Sequence, residues 1–169
     1  SIAAQAGQRV LFIDADMRKG YVHNVLKLGN HQGLSCVLGG VVDWLEAIQR
    51  VEKGGFDVLT CGPQPSHPVE LLMSERFQTM VSQIDNHYDI VIVDTPPVLA
   101  VTDTLLIARA AATTLLVARF GKTSVKEIEH CLKRLQQMGV QVNGAILNDI
   151  VKSAALYYNS GYSHYDYGY

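Results

Sequence analysis

Two short apolar runs end in aspartate. Val10, Leu11, Phe12 and Ile13 lead into Asp14, and Ile90, Val91, Ile92 and Val93 lead into Asp94. Neither run alternates polar with apolar residues, and a strand without a polar side must be covered on both faces. A parallel sheet between two layers of helices meets that need. Shorter apolar runs at 58–59, 114–118 and 142–147 supply further strands. The segments between them carry helical period. From Ser74 to Ile84, Phe77, Met80, Val81 and Ile84 fall on one face with Ser74 placed to cap, and Ser124 with Glu127 forms a capping box ahead of Val125, Ile128, Leu132 and Leu135. Gly139 supplies the stop. Strand and helix signals in alternation predict an α/β fold: a doubly wound, mostly parallel sheet with helices on both faces. We read residues 1–152 as that domain and 153–169 as a flexible tail. Ile2 to Ala6 reads as the end of a helix closed by Gly7, which places an earlier strand and turn before Ser1.

The 169 residues carry a formal net charge of −2 with 18% charged side chains, which provides no basic field for nucleic acid. The apolar runs are far shorter than the roughly 20 residues a membrane helix needs, and no signal peptide is visible at the N-terminus. Cys36, Cys61 and Cys131 are odd in number and widely separated, as in a reducing compartment. The six histidines show no ligand spacing with one another or with cysteine, so the sequence predicts no zinc site.

In open α/β sheets the ligand crevice lies beside the carboxyl ends of the strands, where Asp14 and Asp94 fall. A buried carboxylate there calls for a cation. The second run continues Asp94, Thr95, Pro96, Pro97, the form of a Walker B strand whose acid holds Mg²⁺. The first continues Asp14, Ala15, Asp16, Met17, Arg18: two acids at one strand end, then a fixed cation suited to phosphate. One acid can serve a metal while the other accepts a proton. A surface salt-bridge cluster is the plainer alternative. Gly121, Lys122 and Thr123 imitate a phosphate loop, but Leu116 stands where Walker A needs its first glycine, so this stretch is read as a turn and helix cap. Asn148 ends the last strand with an amide able to pair with a purine edge, although a strand-ending Asn is commonly turn chemistry. Finally, Tyr157, Tyr158, Tyr162, Tyr165, Tyr167 and Tyr169 crowd the last thirteen residues among small polar ones. No helix or strand face accounts for them, which leaves a low-complexity terminus or a set of phenolic acceptors.

Together these features resemble the bacterial tyrosine kinases. The segment from Val10 to Arg18 is similar to their Walker A′ motif, that from Val91 to Pro97 to their Walker B, and that from Gly62 to Leu72 to the proline-rich segment between them; the tyrosine tail matches their C-terminal cluster. The resemblance spans essentially the whole chain, in the family's order. It implies a P-loop ATPase domain related to cell-division and partition ATPases, in which ATP and Mg²⁺ are the cofactors and the tail tyrosines are phosphorylated in trans. It further implies a cytoplasmic domain of a bacterial inner-membrane protein that governs exopolysaccharide or capsule polymerisation and export. Such domains form homo-oligomeric rings with one tail in a neighbour's site, and a cognate tyrosine phosphatase reverses the reaction. By the same resemblance Asp14 and Asp94 place Mg²⁺, Asp16 is the candidate base, Arg18 meets phosphate and Asn148 meets adenine. The family's Walker A lysine and Ser/Thr, and its arginine-containing oligomerisation motif, are expected ahead of Ser1. Two alternatives stay open: a partition-type ATPase without protein kinase activity, and a nucleotide-free phospho-acceptor or scaffold module.

Overall fold

The computed structural model describes residues 2–150. All six tail tyrosines lie outside the described residues. The chain divides into two compact units, Ser1–Ala111 and Ala112–Tyr169.

The first unit starts with the short helix α1 (Ile2–Gln5), which Gly7 closes at φ +84° before β1 (Val10–Asp14). Next come α2 (Val22–Leu26), α3 (Leu34–Leu38) and α4 (Trp44–Ala47), then β2 (Gln49–Val51) and β3 (Phe56–Leu59). After them follow α5 (Pro68–Met73), α6 (Glu75–His87), β4 (Ile90–Asp94) and α7 (Asp103–Ala110). The sheet order is β2-β3-β1-β4. β1 runs parallel to both neighbours, and the short edge strand β2 is antiparallel to β3.

β1 is therefore a central strand, and Val10, Leu11, Ile13 and Asp14 are all buried. Around it Leu34, Leu38, Trp44, Leu59, Leu72, Phe77, Met80 and Ile84 pack into one core. A fully buried side chain of this size contributes about 1.5–3 kcal/mol. The helical period of α6 is borne out: Phe77, Met80 and Ile84 are buried, Val81 packs against them, and the Ser74 hydroxyl accepts the Phe77 N–H. The indole N–H of Trp44 donates to Gln83 Oε1 at 2.9 Å, which ties α4 to α6. The proline-rich segment enters α5 with Pro68 at its first turn and Leu72 in the core.

The second unit holds β5 (Leu115–Arg119), α8 (Val125–Gln137) and β6 (Gly144–Asn148), with β5 and β6 parallel. The predicted capping box is formed: Ser124 Oγ accepts the Glu127 N–H while the Glu127 carboxylate accepts the Ser124 N–H. Gly139, at φ +74°, follows α8. Gly121 adopts φ +66° in a turn where the Lys122 and Thr123 N–H groups donate to the Arg119 carbonyl, which supports reading that stretch as turn and cap.

The expected sheet with helices is found, and β1 and the end of β3 are buried, while β4, β5 and β6 are part exposed among the described residues. Among the described residues β4 has β1 as its one sheet neighbour, and Ile92 is 49% exposed. β5 and β6 form a two-stranded ribbon that leaves Leu115, Val117, Ile146 and Leu147 exposed. A strand with a single neighbour keeps an open edge, and apolar composition alone does not reveal it. The expected apolar face of α8 is likewise only partly buried: Leu135 is in, whereas Val125 and Leu132 are exposed.

Candidate active site

The in-register pairing of β1 with β4 sets Asp14 directly beside Asp94 at the carboxyl end of the ladder. Beyond the strand end the Ala15 N–H donates to the Asp94 carbonyl at 2.8 Å, so the pairing runs one residue into the loop. Asp16 then turns the chain: its Oδ1 accepts the N–H groups of Arg18 at 3.0 Å and Lys19 at 2.9 Å. That side-chain turn is the local reason aspartate suits position 16.

Asp14 is 0% exposed. Its Oδ1 accepts the Asp16 N–H at 3.2 Å and its Oδ2 the Val22 N–H at 3.1 Å. Burial raises its carboxyl above the usual range and so do the charges of Asp94 and Asp16, while the two backbone N–H groups oppose the rise. Asp94 is exposed at the sheet edge, yet partial desolvation of the strand end pushes its carboxyl up, with Asp16 adding to this against the Thr95 N–H. No salt bridge reaches any of these three acids among the described residues. Three oxygen-bearing acids that repel one another, with no ion pair to any of them among the described residues, are the donor set a hard divalent ion suits. Asp16 and Asp94 also border a cavity of about 410 Å³ walled by Phe12, Phe56, Val25 and Leu26.

Arg18 is placed otherwise than a free phosphate ligand. Its Nε and Nη2 donate to the two oxygens of Asp103 at 2.9 and 3.1 Å. Asp103 opens α7 and is 0% exposed, and Arg18 is 37% exposed. The fork fixes the loop after β1 to the helix after β4. Pro96 is held from the same helix, its carbonyl accepting the Thr104 hydroxyl. Sequence reasoning missed Asp103; an acid at the first position of a short helix was the available signal.

The acidic cluster lies wholly within the first unit. Asn148 ends β6 of the second, where its Oδ1 accepts the Asp149 N–H at 2.9 Å, as turn chemistry predicts. Asp149 stands at φ +60° and its carboxylate accepts from Arg119 Nε at 2.7 Å.

A mostly parallel α/β sheet with paired acids at its strand ends places its ligand crevice beside those acids, and comparison with known proteins gives the family. The AAA domain family matches residues 1–147. A solved MinD cell division protein of Aquifex aeolicus superposes with a TM-score of 0.71 over 91% of this chain and 62% of that one, at 23% identity, which supports the fold alone. The kinase domain of the Escherichia coli tyrosine kinase ETK superposes with a TM-score of 0.88 at 47% identity, over 99% of this chain and 63% of that one. The tyrosine-protein kinase etk of Escherichia coli K12 is 48% identical over 94% of this chain. This chain therefore belongs to the AAA domain family, on its bacterial tyrosine kinase branch. It spans 22% of the length of that curated relative.

Proposed function

We propose that the protein is an ATP-dependent tyrosine kinase that phosphorylates its own tyrosine-rich C-terminal tail in trans. The observation that carries the reading is the uncompensated acid cluster Asp14, Asp16 and Asp94 on adjacent parallel strand ends, in a chain that is similar to proteins named tyrosine-protein kinases. Mg²⁺ bound with ATP supplies the positive charge that phosphoryl transfer needs. Asp14 and Asp94 would hold it. Asp16 Oδ1 is occupied by two backbone N–H groups, which leaves Oδ2 to accept a proton. The acceptor phenol, with an ordinary pKa of about 10, gives its proton to that oxygen as its Oη bonds to the γ-phosphorus and ADP leaves. The aromatic wall of Phe12 and Phe56 beside Asp16 suits a phenol ring. Arg18 holds the loop through Asp103 and keeps Nη1 to face phosphate charge. Asn148 meets adenine in this reading on the chemistry of its amide alone.

By the same reading Tyr157, Tyr158, Tyr162, Tyr165, Tyr167 and Tyr169 are the acceptors. Each phosphate adds roughly −1.5 to −2 charge, so a heavily modified tail is repelled by the acid cluster and leaves its neighbour. Ring assembly, a cognate phosphatase, and a role at the inner membrane in exopolysaccharide or capsule export complete the proposal. Among the described residues no helix is long and apolar enough to cross a membrane.

The test is phosphotyrosine formation by the protein at its native length with Mg-ATP. We expect a strong signal that Asp14→Asn and Asp94→Asn abolish. ATP hydrolysis without phosphotyrosine would instead assign a partition-type ATPase, and no ATP binding would assign a scaffold.

A further inference from the structure

The fold gathers three side chains that the sequence keeps far apart. Asp14 ends β1, His23 sits in the first turn of α2, and Cys61 lies two residues beyond β3. One donor atom from each falls within 4.8 Å of the others. Spacing in the sequence predicted no zinc site; the crossover from β1 through α2 to β3, with β3 parallel beside β1, is what assembles this one.

The trio is built and only partly satisfied. Cys61 is 4% exposed. Its thiol has one weak contact, Sγ to Asn30 Oδ1 at 3.6 Å. The Nε2 of His23 meets Asn24 Nδ2 at 2.9 Å, while its Nδ1 is buried without a hydrogen-bond partner among the described residues; ligation through Nδ1 requires the tautomer with the proton on Nε2, which the Asn24 amide accepts by turning its oxygen inward. A buried polar atom left without any partner costs about 1–3 kcal/mol, so this nitrogen is open to a ligand. The backbone closes over the trio at Gly20: a Cβ there would stand 2.6 Å from Cys61 Sγ and 2.7 Å from Asp14 Oδ2. No side chain larger than hydrogen fits that lid without displacing the donors.

The geometry points to a site for a thiophilic divalent cation, with Zn²⁺ the type case, held by Asp14, His23 and Cys61. Sulfur, imidazole and one carboxylate suit zinc, whereas Mg²⁺ requires oxygen ligands. Zinc bonds of about 2.0–2.3 Å require the donors to close up by side-chain rotation, and the fourth position stays open to water. Binding releases the Cys61 thiol proton to solvent. The cation takes Asp14, the carboxylate that the proposed phosphoryl transfer uses, so Zn²⁺ inhibits. That consequence rests on the proposed kinase reading, and capture of the metal does not.

Co²⁺ is the probe, because a thiolate ligand gives it a near-ultraviolet charge-transfer band. We expect one equivalent bound to the native-length protein with that band. Cys61→Ser should remove the band, and His23→Gln, a change on a short, partly exposed helix, should weaken Zn²⁺ binding by more than the roughly 10- to 100-fold that loss of an outer-shell partner alone causes. A Cys36→Ser/Cys131→Ser double variant should keep the band. A band that survives Cys61→Ser, no band in the parent, or parental affinity in His23→Gln overturns the site. In a second arm, one equivalent of Zn²⁺ should suppress phosphotyrosine formation in the parent and spare His23→Gln, each relative to its own uninhibited rate. A Cys61-dependent band without suppression overturns the inhibition. A Cys61-dependent band in a protein that forms no phosphotyrosine at all supports the site and overturns the kinase reading.

Discussion

The two ends of the β1–β4 ladder carry charge with opposite logic. At the foot, Arg9 precedes β1 and Asp89 precedes β4, and the two close on each other: Arg9 Nη2 donates to Asp89 Oδ1 at 2.7 Å, and the Arg9 backbone N–H donates to Oδ2 at 2.8 Å. Arg9 holds the Asp89 carboxyl down at about 2. At the head, five rungs further along, Asp14 and Asp94 stand side by side and each has its carboxyl pushed up. One ladder thus ends in a satisfied pair and in an unsatisfied one. The foot ties the two strands together where they begin. The head stores like charge that an incoming cation or a proton relieves, and this separates a stabilising end from a working end.

The largest expected effect tests that division directly. Asp14→Asn should lower phosphotyrosine formation by about 100- to 1,000-fold, as loss of a preorganised electrostatic group does, whereas Asp89→Asn should leave it within a few-fold in a native-length assay. Equal losses from both would erase the distinction between the ends. Next in size come the rungs between them. Leu11→Ala removes a fully buried side chain from the central strand and should cost about 2–5 kcal/mol. Ile92→Ala, half exposed on the edge strand, should cost less than about 1 kcal/mol in the same urea titration. A large loss at Ile92 would show that β4 is covered in the working protein. Between these lies Arg18→Met, which strands the buried Asp103 charge. About 2–4 kcal/mol is expected, discounted because the arginine itself is part exposed.

The pH dependence separates the ends by sign. A raised native carboxyl pKa means the fold binds its proton more tightly than the open chain does. The head acids therefore favour the fold below the ordinary aspartate value of about 3.9 and progressively lose that advantage as pH rises through their native values. The foot works the other way: Asp89 stabilises above the ordinary value, and that contribution fades as pH falls towards about 2. Thermal melts should therefore show a gain on mild acidification, then a loss in stronger acid. Asp94→Asn should flatten the first limb. Its persistence unchanged in that variant and in Asp14→Asn would sink the account of the head.

Much of this is legible in the amino-acid sequence. The strand ends at Asp14 and Asp94, the helix capped by Ser74 and the capping box at Ser124 all depend on residues within a few positions of one another, which is the range over which sequence pattern carries physical force. What escapes it depends on contacts at long range. Arg18 looks free in the sequence because its partner, Asp103, lies 85 residues on. Ile92 looks buried because an apolar run does not say whether its strand is central or at an edge. His23 and Cys61 give no metal signal because their approach to Asp14 exists only once β3 is laid beside β1. Topology is the missing information in each case.

The smallest expected effect belongs to the foot itself. Arg9 and Asp89 are both well exposed, so their attraction is screened by water and by salt. Asp89→Asn should lower the melting temperature less than any change above, and the loss should disappear near 1 M salt, where the screening length falls to about 3 Å. The variant also retains an acceptor for the Arg9 backbone N–H, so this hydrogen bond can survive the loss of charge. A loss that persists in high salt would therefore place the foot's contribution in that hydrogen bond and its geometry, and the contrast between the two ends would then be one of packing and not of charge.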